Sequence, residues 1–474
     1  MQSGGRGMVF SSLVFLYAFL PAVLAVYFLS PKRWKNAVLL IFSLLFYGWG
    51  EPKFIFLMVA SFTAAYALGF PIAKYRSGKP AVARRWTVLS LAVSLSALLF
   101  FKYYDFGART LSSFPFWNLP VLGLSLPVGI SFYTFQIMSY TIDLYRGDAD
   151  LQRNYAAFGT YVSLFPQLIA GPIVRYREID GQLRERTVTV SDFAAGVERF
   201  CVGLAKKGLL GDPLASGWSY FRDALTVSPS ALGAWASVVL YSLHLYFDFS
   251  GYSDMAIGLG RMFGFRFPEN FRHPYAAESV TDFWRRWHIT LSTWFREYVY
   301  IPLGGNRAGK AKQFRNFAIV WILTGLWHGA DWNFLLWGVW FLFWLSAERF
   351  LLGKERLARI PLFLRRAVTL LVVFLGFLLF SESDLPTVGR TLGYLVGVNC
   401  RFSDMIDLYR LRVLLPLLAV AAIGSTPLPY RLFLRFTEQR RFAWVRPVLC
   451  VLSLLFVTAY LVDKAFSPFE YFHF

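Results

Sequence analysis

Charge is scarce in this chain. Asp, Glu, Lys and Arg make up only 16% of its 474 residues, against roughly a quarter in soluble proteins, which excludes an ordinary water-soluble globule. Cysteine is scarcer: Cys201, Cys400 and Cys450 are the three present and lie far apart, so no disulfide framework or thiolate metal site is encoded. Five histidines occur, with no HxxxH or HExxH spacing and no Cys/His cluster, so no bound metal is expected. A Gly-x-Ser-x-Gly elbow and a P-loop are also missing, and with them two common catalytic signatures.

Apolar residues fill the space. They make 56% of the chain, aromatics alone 19% with 49 Phe, 25 Tyr and 16 Trp, and the mean hydropathy is +0.47. Apolar runs long enough to cross a bilayer recur throughout, which predicts an all-α, polytopic membrane helical bundle. Helices are expected near 9–29, 37–50, 54–73, 86–104, 127–145, 155–173, 193–210, 231–249, 314–328, 333–352, 366–382, 411–424 and 444–462. That is roughly eleven to thirteen membrane helices, some short enough to be re-entrant or tilted. The first run is too long for a signal-peptide core and lacks a small-residue cleavage site, so it reads as a retained span. Met1–Gly7 reads as a polar, Gly-rich extension, with one membrane-embedded domain from 8 to 474.

Lys and Arg outnumber Asp and Glu by 48 to 28, a net charge of +20. These residues cluster in short loops: Lys32, Arg33 and Lys35, then Lys74, Arg76, Lys79, Arg84 and Arg85. The loops between hold less, Lys53 in one, Lys102 and Arg109 in the other. The positive-inside rule then places the 30s and 70s–80s loops in the cytoplasm and the N-terminus outside. Membrane lipids account for the basic charge, and nucleic acid is not an expected partner. Two stretches depart from the apolar pattern. Residues 177–212 fit an amphipathic surface helix; residues 262–312, rich in Arg and Trp, are too polar to span and must line a cavity or lie at the interface.

Two histidines sit in settings that invite a chemical explanation. His328 ends the apolar run Ile319–Gly329, which has no other ionisable side chain. Imidazole is the side chain that exchanges a proton near neutral pH, and an ionisable group at such depth is a functional candidate by default. Packing among Trp321, Trp327 and Trp332 is the bland alternative. Against it stand Gly325 and Gly329, which leave room for a ligand or another backbone, and Asp331, placed to orient the ring if the helix continues. His288 lies in Asp282-Phe283-Trp284-Arg285-Arg286-Trp287-His288; on a helix Trp284, His288 and Ser292 would share one face. Arg285, Arg286, Arg296 and Arg307 suit phosphate recognition or simple interfacial anchoring. Gly304-Gly305-Asn306-Arg307 marks a turn. Asp143, Asp248 and Asp254 would be coupling groups in a transporter, or hydrogen-bonding groups at a helix broken at Ser250-Gly251.

Taken together these motifs resemble the membrane-bound O-acyltransferase (MBOAT) family, in its bacterial alginate O-acetyltransferase branch. The likeness rests on Trp327-His328-Gly329 and the Trp287-His288 stretch, on residues 8–12, 127–136, 165–172, 246–255 and 300–307, and on the terminal Tyr471-Phe472-His473-Phe474. The resemblance implies a helical bundle around a central funnel in the bacterial inner membrane. It implies transfer of acetyl from cytoplasmic acetyl-CoA, as substrate, to a periplasmic SGNH-hydrolase-like partner that esterifies a polysaccharide. His328 matches the family's catalytic histidine and His288 its second. Trp284, Arg285, Arg286, Trp327 and Asn306 become candidate contacts for the coenzyme. Peptidoglycan or cellulose acetylation would use the same chemistry, and a transporter or exporter is the reading from another class. His288 as oxyanion donor or orienting partner, and direct transfer or an acetyl-histidine, stay open.

Overall fold

In lipid every backbone N–H and C=O must be satisfied within the chain, and the computed structural model, which describes residues 8–463 except Ala308 and Ser383, meets that demand with helices. Among the described residues there is no β-strand, only an isolated bridge between Ser230 and Arg401. The extension Met1–Gly7, the terminal motif and His473 lie outside the described residues.

The chain clusters into two compact units. One is drawn from residues up to Phe200 and Tyr252–Pro268, the other from Cys201–Gly251 and Glu269–Tyr460. In the first, helices Lys35–Gly50, Ile55–Tyr75, Pro80–Ser112 and Ile130–Arg146 carry the long apolar runs. Phe10, Phe15, Phe46 and Phe165 pack ring on ring at 5.0–6.3 Å. Arg186 knits three segments of this unit together: its guanidinium donates to Tyr27 Oη (2.9 Å), Asn36 Oδ1 (2.7 Å) and Phe263 O (3.1 Å).

The second unit is built on the helices Lys310–His328, Trp332–Ser346 and Leu362–Ser381. Trp321, Trp337 and Phe341 from the first two enclose Trp284 at 4.8–5.5 Å. Along Val445–Asp463 only Val457 is buried, and Val448, Val451, Leu455 and Phe456 face outward. Lipid contact, unlike water, rewards that exposure.

Among the described residues, five helices can cross a membrane by length and composition, or six if the pair Met405–Gly424 and Leu428–Thr437, bent by 71°, is one span. The chain is a multi-pass membrane protein. The remaining expected spans include shorter helices, such as Lys35–Gly50 and Ile130–Arg146, and interrupted ones. The 155–173 run breaks at Leu164 into Tyr155–Ser163 and Phe165–Leu168. The expected surface helix over 177–212 is divided too, into Tyr176–Arg184, Val190–Ala205 and a π-helical turn Lys206–Gly211. The break expected at Ser250-Gly251 does not occur: Ala231–Met262 is one continuous helix. Gly251 serves close packing there, since a Cβ on it would meet Gly203 O at 2.8 Å.

Candidate active site

His328 is the last residue of the helix Lys310–His328, and the chain turns at Gly329 into extended backbone. The next helix starts at once, because the Asp331 carboxylate accepts from Trp332 N at 2.7 Å and caps it. The helix does not continue as the orienting role of Asp331 required, and its carboxylate works as a cap. The two helices form a tight hairpin. A Cβ on Gly325 would lie 2.4 Å from Phe334 O, one on Gly338 2.5 Å from Trp321 O, and one on Gly329 2.0 Å from the Phe334 ring. The room expected at Gly325 and Gly329 is therefore taken by a neighbouring backbone and a phenyl ring, not by a ligand.

The hairpin holds His328 buried, 4% exposed. Its ring meets Trp327 and Trp337 edge-on at 4.9 Å and Phe380 at 5.2 Å. Trp321 packs on Trp284 instead, and Trp332 is exposed. Sequence spacing cannot foresee Phe380, which arrives from Leu362–Ser381.

His288 approaches from the polar-aromatic stretch. The chain there is not one helix: Val280–Trp284 ends, and His288 itself, with φ +42°, is the N-cap of Ile289–Phe295. Trp284, His288 and Ser292 thus do not form a continuous helical face. The cause is a short pairing of backbones, with Arg272 N donating to Arg286 O (2.9 Å) and Ile289 N to Asn270 O (3.0 Å). A non-glycine residue in this left-handed region is uncommon and often marks a functional site. His288 is fully enclosed, with Phe249 at 4.8 Å and Trp327 at 6.1 Å. Burial pushes its imidazole down to about 3, so it is neutral at physiological pH. Trp327 stands against both histidine rings.

Glu348 fixes the arm that carries His288. Its carboxylate accepts from Val280 N (2.6 Å), Thr281 N (2.8 Å) and Thr281 Oγ1 (2.7 Å) at the start of Val280–Trp284. Neither Glu348 nor Asn270 announces itself in the sequence, since both act across long separations.

The other candidates divide. Arg285 is exposed, and Arg286 is half-buried and pairs with Asp282 at 3.0 Å. Trp284 is a buried packing residue. Asn306 organises its own loop, accepting from Tyr300 Oη (2.6 Å), Gln313 Nε2 (2.7 Å) and Arg349 (3.0 Å). The carboxylates of the transporter reading have cationic neighbours: Asp248 has Lys207 at 2.5 Å, Asp254 has Arg199 at 2.6 Å, and Asp143 has Arg177 at 4.0 Å. Lys207 also reaches Asp212 at 2.7 Å. Paired in this way they favour the structural reading. No group of three or more potential metal ligands exists among the described residues.

Comparison with known proteins decides the family. The model of the membrane-bound O-acyltransferase family matches residues 152–381, a segment that contains both histidines. The probable alginate O-acetylase of Pseudomonas aeruginosa is 44% identical over 387 residues, covering 81% of this chain and 74% of that one. The chain belongs to the membrane-bound O-acyltransferase family. It is an O-acyltransferase. The peptidoglycan O-acetyltransferase of Helicobacter pylori is 34% identical over 83% of this acyltransferase and 80% of its own length. The teichoic acid D-alanyltransferase of Bacillus subtilis is 28% identical, over 45% of this chain and 56% of its own.

Proposed function

We propose that this O-acyltransferase moves acetyl groups from cytoplasmic acetyl-CoA, across the bacterial inner membrane, to a periplasmic SGNH-hydrolase-like partner that O-acetylates alginate. The observation that carries the reading is the pair of buried histidines on one tryptophan, His288 and His328 against Trp327. Acyl transfer from a thioester needs a base for the attacking hydroxyl and a water-poor setting that spares the thioester from hydrolysis. In this reading His328 takes the hydroxyl proton as the oxygen bonds to the thioester carbonyl carbon. The tetrahedral intermediate then expels the coenzyme's sulfur, which receives the proton from His328. Arg285, exposed beside the His288 arm, is the candidate contact for coenzyme phosphate. Alginate is preferred as acceptor because the named alginate O-acetylase is 44% identical, against 34% for the peptidoglycan enzyme.

The test is His328→Ala in the full-length protein, purified in detergent and assayed with labelled acetyl-CoA and the partner. Unchanged thermal unfolding with loss of transfer by about a hundredfold or more supports the base role. Transfer within about twofold of the parent would sink it. Rapid quench without acceptor separates the two routes, because only an acetyl-histidine leaves label on the protein.

A further inference from the structure

Asn270 is fully buried, and its side-chain oxygen faces three groups: Thr290 N (3.3 Å), Thr290 Oγ1 (2.9 Å) and His288 Nδ1 (3.1 Å). The backbone N–H of Thr290 can only donate, which fixes the oxygen, not the amide nitrogen, on this side. A carbonyl oxygen has no proton to give. The His288 nitrogen that meets it must therefore be the protonated one. Backbone geometry holds the arrangement, because Asn270 O also accepts from Ile289 N at 3.0 Å, beside the left-handed His288.

We infer that Asn270 is a positioning residue that locks His288 as the Nδ1–H tautomer, so that Nε2 presents a lone pair and His288 serves as a hydrogen-bond acceptor. This rests on the proposed acetyl transfer for its functional meaning. The consequence is a division of roles. A neutral imidazole with Nδ1–H bound to Asn270 has no proton on Nε2 for an oxyanion, which removes the donor role for His288. It accepts from a donor instead, and because the one proton of the attacking hydroxyl goes to His328, that donor is another N–H or O–H of the bound substrates. His288 then orients the substrate through that group while His328 takes the proton of the hydroxyl.

Among the described residues, the rings that pack on His288 carry no charge. Phe249 packs on it from Ala231–Met262 and Trp327 from Lys310–His328, and neither titrates. Across Trp327 lies His328. On its own arm Asp282 is paired with Arg286, and Arg285 is exposed. Glu269 precedes Asn270, and Asp248, next to Phe249, has Lys207 at 2.5 Å.

The experiment uses full-length protein carrying 15N-histidine, with the His288 resonances assigned by their loss in His288→Gln. Near neutral pH the proton is expected on Nδ1; a proton on Nε2 overturns the proposal. Asn270→Asp keeps an acceptor for all three groups but adds negative charge, which favours imidazolium. Its acid limb of acetyl transfer is expected to move up by about one pH unit or more. Asn270→Ala is expected to lose about ten- to a hundredfold in turnover, with Asn270→Asp recovering part of it near neutral pH. An Asn270→Asp profile that superimposes on the parent's refutes the coupling. If His288→Gln transfers acetyl normally, the catalytic reading of His288 fails, while the tautomer seen in the spectrum stands or falls by itself.

Discussion

Replacing Gly325 by alanine tests whether the hairpin sets the position of His328. The added methyl would lie 2.4 Å from Phe334 O, where ordinary contact begins at 3.4 Å. The helices must part by about 1 Å at that level, and the obstacle is backbone, which cannot rotate away. Gly338 stands opposite, with the mirror-image clash on Trp321 O at 2.5 Å, so the partner helix has no slack to give. Overpacking of this kind costs about 1–3 kcal/mol, set against the gain of about 1 kcal/mol that alanine brings to a helix. His328 is one turn beyond Gly325 on the same helix, so the displacement reaches the base, and misplacement by about 1 Å can cost a hundredfold in rate. The assay is thermal unfolding in detergent beside acetyl transfer. Gly389→Ala is the control, since nothing lies within 4 Å of a Cβ there. Gly325→Ala is expected to unfold earlier and to lose activity, while Gly389→Ala keeps both. A Gly325→Ala protein as stable and as active as the control would refute the close contact.

Two further outcomes follow from buried charge. Lys207→Met leaves Asp212 and Asp248 without their shared cation and is expected to cost about 3–5 kcal/mol; denaturant unfolding that matches the parent would show the cluster to be unimportant. His288, with its folded value near 3 against an ordinary 6.5, favours the fold most fully above about pH 6.5 and loses that contribution as pH falls toward 3, by up to ~1.4 kcal/mol per unit. Thermal unfolding between pH 4 and 7 should therefore be less acid-sensitive in His288→Gln than in the parent, and parallel curves would rule this out.

The sequence made the helical membrane class and the two histidines legible because both depend on local pattern. Apolar runs of span length survive any tertiary arrangement, and a lone imidazole in Ile319–Gly329 stands out against its neighbours. What failed was everything that needs a partner distant in sequence. Gly325 and Gly329 signalled a close approach, but only the fold shows that Phe334 and Gly338 make it. A shared face for Trp284, His288 and Ser292 depends on an unbroken helix, and the Asn270–Ile289 and Arg272–Arg286 pairings impose a turn there instead. Ser250-Gly251 looked like a break because glycine weakens helices in water; inside a packed bundle it admits the neighbouring backbone instead. Trp284, a candidate coenzyme contact by resemblance, is enclosed by Trp321, Trp337 and Phe341.

The carboxylate of Glu348 has a mechanical consequence. It joins the start of Val280–Trp284 to the turn that follows Trp332–Ser346. From there the chain of contacts runs back through the glycine hairpin to Trp327, and across that indole to His288. The result is a closed linkage, and a closed linkage has fewer soft modes than an open arm. Separating the two imidazoles would mean breaking three hydrogen bonds to a carboxylate at one end or unstacking the Trp284 cluster at the other. Turnover is then expected to move carrier and acceptor past a stationary pair of rings, an anvil that stays fixed while the acyl group changes hands.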